Sequence, residues 1–273
     1  MGTAMERWRS MVEAEHAQTE RLRDPAPPGS DFWKSRAQHF RLDPHRSDDP
    51  LVHFLSSMLK PGDTLLDVGA GAGRLALPLA LRCRHVTAVE PSGSMVSALK
   101  EDTEYYKIGN VSVAKARWEE AEVEPSDIVL CAHVLYTVKD VGPFLKKMTS
   151  KAKREVWVVL FQEPPQTGLY PLWRMVHGED RLSLPSLPEL REVLGEMGIE
   201  ATHHQLPPRA SGETVGSREE AHEALRSRMF VTEGSPKDRR LGRVLEEALE
   251  EVEGGWRLKW RRSLAPVVTV WRV

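Results

Sequence analysis

The chain of 273 residues is 40% apolar and 29% charged, enough apolar material for one large core with appendages, which excludes a disordered or fibrous protein. Its 38 basic and 40 acidic side chains leave a formal net charge of -2, so nothing draws it generally toward nucleic acid or an anionic membrane, and neither is expected as a partner. Cys83 and Cys131 are its two cysteines, each inside an apolar stretch. A disulfide framework or cysteine-built metal site is thereby excluded, no metal is expected, and a reducing cytoplasmic location fits.

The N-terminal segment mixes both charges at short intervals, and no apolar run reaches the roughly 18 residues of a membrane helix, so neither a secretory signal nor a membrane span is expected. Met5 to Leu22 carries Trp8, Met11, Val12 and Leu22 in a helical pattern that ends at Pro25, Pro27, Pro28 and Gly29. Asp31 to Phe40 suggests a second helix and Leu51 to Leu59 a third, short one. From Pro61 β-rich runs alternate with helical patterns. The runs are Thr64 to Val68, Val86 to Glu90, Val111 to Ala114, Asp127 to Cys131 and Val156 to Phe161, with helices expected at Arg74 to Leu81, Ser94 to Glu104 and Val141 to Lys151. That alternation predicts a parallel sheet covered by helices on both faces. A helix at Leu187 to Met197, stopped by Gly198, precedes a sixth strand near Ile199 to Leu206.

The stretch from Pro207 to Ala265 breaks the alternation. Ser217 and Glu220 have the spacing of a capping box opening a helix to about Phe230, and Ser235-Pro236 opens another whose Leu241, Val244, Leu245, Ala248, Leu249 and Val252 share a face. A seventh strand is expected at Val267 to Trp271. Arg239-Arg240 and Arg261-Arg262 are too short as basic runs to indicate RNA.

Chemistry concentrates at Leu65-Leu66-Asp67-Val68-Gly69-Ala70-Gly71-Ala72-Gly73-Arg74, a strand entering a glycine-rich turn and then a helix. There a ligand can approach the backbone closely and meet free N–H groups. The dinucleotide fingerprint requires its third glycine one position later, where Arg74 stands, so the pattern is GxGxG with an acid two residues ahead of it. On these residues the chain resembles the class I S-adenosylmethionine-dependent methyltransferases, in their small-molecule type.

The resemblance implies an α/β, Rossmann-like seven-stranded methyltransferase sheet with helices on both faces. It also implies a helical extension or cap at residues 1–50, a cofactor-binding core at 51–206, a helical insertion at 207–265 serving as lid or partner surface, and the last strand at 266–273. In such proteins the loop Gly69, Ala70, Gly71 and Gly73, with Asp67 beside it, wraps the methionine end of S-adenosylmethionine, whose product is S-adenosylhomocysteine. Glu90, 23 positions after Asp67, would accept both ribose hydroxyls. Pro91 and Met95 would pack on the adenine, although Met95 equally suits helix core. Arg117, Trp118 and Glu119 fall where the adenine edge is met, with Arg117 in place of the usual acid; the Trp118 ring either covers the adenine or packs in the interior. Cys131, Ala132 and His133 follow the fourth strand beside the transferable methyl. The N/D-P-P-Y motif of base and glutamine methylation is absent, which disfavours those acceptors.

Transfer from a sulfonium needs alignment above all. If the acceptor is a hydroxyl, His133 is the first candidate base or orienter and His177 the second. Tyr136, Trp33, Trp173 and His177 are the candidate substrate contacts, the last two from a Pro-rich loop after the fifth strand, where α/β crevices form. The expected activity is methylation of a small molecule by a monomer or homodimer. Two alternatives stay open: methylation of a protein or RNA, and an inactive cofactor-binding regulatory homologue.

Overall fold

The computed structural model describes residues 2–25, 41–208, 214–260 and 263–273. Helix α1 (Ala4–Leu22) opens on a reciprocal cap, in which Thr3 Oγ1 accepts the Glu6 N–H while the Glu6 carboxylate accepts the Thr3 N–H. Then follow α2 (Pro50–Met58), β1 (Thr64–Val68), α3 (Ala76–Ala80), β2 (His85–Val89), α4 (Gly93–Tyr105), β3 (Val111–Ala114), β4 (Ser126–Ala132), α5 (Val141–Lys151) and β5 (Ala152–Phe161). The chain continues through α6 (Tyr170–His177), α7 (Leu187–Glu196), β6 (Thr202–Gln205), α8 (Arg218–Arg228), α9 (Pro236–Ala248), β7 (Leu249–Val252), β8 (Gly255–Leu258) and β9 (Pro266–Arg272).

Seven strands form one sheet in the order β3-β2-β1-β4-β5-β9-β6, and the last of them in sequence, β9, runs antiparallel to both β5 and β6. The expected α/β sheet with helices on both faces is what the chain builds. Strand side chains alternate between two cores. Leu66, Val68, Val129, Cys131, Val156 and Val158 point to the side of α1, α5 and α7, whereas Leu65, Val86, Ile128, Leu130 and Trp157 point to α2, α3 and α4. Helix α1 is part of the first of these layers: Trp8 is fully buried there, its Nε1–H donates to Val138 O at 2.7 Å, and Gly142 of α5 lets Met5 approach.

A third apolar cluster stands apart, made by Leu172, Trp173 and Val176 of α6 with Leu225 of α8, Leu241 and Leu245 of α9, and Leu258 of β8. Both expected insertion helices form here. Ser217 Oγ accepts the Glu220 N–H, but Glu220 reaches back to the Gly216 N–H, one residue short of a capping box. The second helix ends sooner than its apolar spacing predicts. Leu249 and Val252 leave the helix to form an antiparallel hairpin, β7–β8, because Lys259 N–H caps Ala248 O and Val215 bridges to Trp256. The expected helix at Arg74 to Leu81 is likewise shorter, since the glycine turn runs on through Arg74 before α3 begins. The expected helix at 31–40, together with Trp33, lies outside the described residues.

Candidate functional site

Strands β1, β2, β4 and β5 end side by side, and their C-terminal ends gather the sequence-predicted residues. Val68 pairs in register with Val89 and Cys131, and Ala132 with Val159. All three glycines of the turn take left-handed backbone angles, with φ of 76° at Gly69, 58° at Gly71 and 88° at Gly73, where a side chain is strained. Their surroundings differ. A Cβ on Gly69 would lie 2.4 Å from Val134 and one on Gly73 2.4 Å from Leu99, whereas one on Gly71 would meet no heavy atom within 4 Å. Gly69 and Gly73 are thus required by packing, and Gly71 faces open space.

Asp67, near the end of β1, is buried among apolar neighbours, and its carboxylate accepts no hydrogen bond among the described residues. Burial, reinforced by the Glu90 carboxylate, raises its pKa to about 7, with Arg74 opposing. Glu90, just past β2, divides its oxygens: Oε1 accepts the Ser92 N–H at 2.8 Å and Oε2 the Gly71 N–H at 3.0 Å.

His133 follows β4 with a φ of 60°, an uncommon conformation for a residue that carries a side chain. Its N–H donates to Val159 O, and its ring stacks on Phe161 at 4.4 Å between centroids. Its Nδ1 lies 3.3 Å from Tyr136 Oη, which in turn accepts the Phe161 N–H at 2.7 Å. Burial, with Arg74 adding to it, lowers the His133 pKa to about 3, so the ring is neutral at any ordinary pH; the same burial pushes the Tyr136 hydroxyl up. Arg74 acts on both Asp67 and His133 and pairs with Asp49, which Arg46 also holds. Burial opposes ionisation of Asp49, but the two arginines keep its pKa below the ordinary value. Phe161 and the Arg46–Asp49–Arg74 group were not singled out in the sequence. An aromatic ending a core strand was the available signal for the first, and Asp49-Pro50 as a helix start for the second.

Several expected contacts are placed elsewhere. Of the two readings of the Trp118 indole, interior packing is what the structure describes: it is buried in the α5 core layer, donates to Phe144 O and carries Lys147 Nζ 4.9 Å from its ring centre. Its neighbours Arg117 and Glu119 are exposed, as is Pro91. Met95 packs with Ala72 and Ala98 as helix core. Cys131 is fully buried and its thiol pKa is raised by burial, while Ala132 and Ala70 line the strand ends and the turn. Trp173 and His177, expected on a loop, lie instead on helix α6. They stack on each other at 4.0 Å inside the α6, α8 and α9 cluster, with Arg181 over Trp173 and His177 Nε2 bonded to Met229 O. Leu172, Trp173 and Val176 repeat at helical spacing, so α6 buries this stripe in the cluster it shares with α8 and α9.

A family model for a methyltransferase domain matches residues 37–204. Among curated proteins, the tRNA/tmRNA (uracil-C(5))-methyltransferase of Pseudomonas fluorescens is 29% identical over 40% of this chain and 27% of its own length. The ubiquinone biosynthesis O-methyltransferase of a Bradyrhizobium species is 35% identical over 34% of this chain and 36% of its own. The chain thus spans about a quarter to a third of the length of these relatives. A solved coclaurine N-methyltransferase, bound to N-methylheliamine and S-adenosylhomocysteine, shares the fold with a TM-score of 0.52 at 15% identity, over 97% of this chain and 87% of that one. With that match, the sheet order and the GxGxG turn between Asp67 and Arg74, the chain belongs to the methyltransferase-domain family and has the class I S-adenosylmethionine-dependent methyltransferase fold.

Proposed function

We propose that this protein transfers the methyl group of S-adenosylmethionine to a small-molecule acceptor. The observation that carries it is the buried Asp67 carboxylate, which accepts no hydrogen bond among the described residues, at the strand end that leads into the turn where Gly71 faces open space and Glu90 is fixed. A cationic ligand is what such a carboxylate lacks, so the residues fit a group that bears an amine and a sulfonium. Asp67 and the 69–73 turn would hold the methionine end, and Glu90, a carboxylate fixed at the end of the neighbouring strand, the ribose hydroxyls. When bound, the group supplies an electrophilic methyl with a neutral thioether as leaving group. The chain's own work is orientation and exclusion of water: the turn is held by packing at Gly69 and Gly73, and His133 is fixed past the end of β4 by its ring contacts with Phe161 and Tyr136.

The near-neutral charge supports a small acceptor over a nucleic acid. No helix among the described residues is long and apolar enough to cross a membrane. Calorimetric titration of the purified chain with S-adenosylmethionine, S-adenosylhomocysteine and NAD tests the reading. Binding of the two adenosyl ligands without NAD is the expected result; absence of adenosyl binding overturns it.

A further inference from the structure

The ring of His133 is wired to a phenol whose own accounting decides where the imidazole proton sits. Tyr136 is only 3% exposed, and its Oη already accepts the Phe161 N–H at 2.7 Å. The phenolic hydrogen therefore needs an acceptor in the interior, because a buried donor left unmade costs about 1–3 kcal/mol. The acceptor in reach is His133 Nδ1, 3.3 Å away, with the two rings inclined by only 6°. If Nδ1 takes that hydrogen bond as a lone pair, the ring proton resides on Nε2. The backbone holds this arrangement in place: His133 sits at φ 60°, stacked on Phe161, and the Phe161 N–H anchors the far end of the chain of bonds.

We propose that His133 is a fixed, uncharged Nε2–H donor that positions the methyl acceptor, and that the acceptor is a carboxylate, which enters with an electron pair free and no proton to lose. The inference rests on the methyl-transfer reading and narrows its substrate class. A neutral alcohol would require a base, and an imidazole whose Nδ1 is occupied and whose Nε2 is protonated has no lone pair to offer. A carboxylate requires none: one oxygen accepts from Nε2–H, and an electron pair of the other forms the new O–CH3 bond. The methyl–sulfur bond breaks with its pair going to sulfur, so a cation and an anion give a neutral ester and a neutral thioether with no proton moved. The charged groups acting on His133 are Arg74, which favours an anion at this place, and Asp49, which Arg46 and Arg74 neutralise.

The test is long-range proton–nitrogen correlation spectroscopy of the 15N-histidine-labelled full chain, with saturating S-adenosylhomocysteine, between about pH 5 and 8. A single Nε2–H tautomer for His133 with no titration across that range is expected, and Tyr136→Phe should lose the single-tautomer signature. An Nδ1–H tautomer, or a midpoint near the ordinary histidine value, overturns the proposal using the unmodified protein alone. In a second arm benzoate and phenol are the probes. A shift of the Nε2 resonances with benzoate and not with phenol is expected; the reverse, or no response to benzoate, overturns the carboxylate assignment. Failure to bind S-adenosylhomocysteine removes the methyl-transfer reading while the tautomer, measured on the free protein, still stands or falls by itself.

Discussion

Glu90 Oε2 accepts the backbone N–H of Gly71 across 3.0 Å, so the side chain that ends one strand holds the turn that follows its neighbour. The contact makes Glu90 a fastening of the turn as well as the proposed ribose ligand. In Glu90→Gln an amide NH2 must replace one carboxylate oxygen, and it then confronts either the Gly71 or the Ser92 N–H, donor to donor. We expect a loss of about 1–3 kcal/mol in stability from urea unfolding, together with an S-adenosylmethionine affinity at least about tenfold weaker by calorimetry.

Asp67 gives a pH dependence whose sign is fixed by its raised pKa. A cationic ligand binds the ionised carboxylate, so affinity for S-adenosylmethionine should fall about tenfold between roughly pH 8 and pH 6 as the group near 7 takes up its proton. Binding at about pH 7 should release protons, seen as a buffer-dependent enthalpy in calorimetry. Asp67→Asn should bind weakly with no such slope.

The same residue trades stability for binding. Because its folded pKa lies above the unfolded value, the folded protein holds the extra proton between about pH 4 and 7, and the stability this confers is lost as pH rises through 7. Asp67→Asn should therefore raise the Tm of the ligand-free protein at about pH 8, by at least roughly 2–4 °C for each kcal/mol recovered, and leave it nearly unchanged at about pH 4.

Two substitutions in the glycine turn should separate folding from binding. Gly73→Ala drives a methyl group into Leu99 and Leu77 and should destabilise the chain by about 1–3 kcal/mol. Gly71→Ala meets no neighbour, so it should cost only about 1 kcal/mol of backbone strain while losing most of the affinity for S-adenosylhomocysteine. Chemical denaturation and calorimetry on the pair check both halves.

His177 makes an opposite contribution to acid stability. Burial lowers its pKa to about 4, although the bond to Met229 O pulls the other way, so the unfolded chain takes a proton first and stability falls as pH drops from about 6.5 toward 4. His177→Gln should flatten that limb of the Tm against pH curve without altering affinity for S-adenosylhomocysteine.

Local signals carried the parts of the site that local geometry decides. The GxGxG turn could be read from spacing because a strand, a left-handed turn and a helix start leave marks within a few residues, whereas the roles of Asp67 and Glu90 come from the resemblance that the turn carries. Trp118 could not, since its burial depends on Phe144 and Lys147 of α5, whose approach no local pattern announces. The β7–β8 hairpin was hidden because Leu249 and Val252 continue the apolar spacing of α9, and the ending is imposed by Lys259 and Val215 from elsewhere in the chain. The segment after β5 differs for another reason: its prolines suggest a loop, whereas Leu169, Leu172, Trp173 and Val176 carry the period of a helix that packs in its own cluster.

The position of β9 governs how the molecule can be assembled during synthesis. The strand lies between β5 and β6, and among the described residues β6 has no other partner, yet β9 emerges after every other strand of the sheet. A nascent chain that has released everything through α9 still presents two unpaired strand edges, at β5 and β6, and edges of that kind recruit other chains. Protection from aggregation on the ribosome therefore arrives only with residues 266–272, well beyond the stretch through which the family can be recognised.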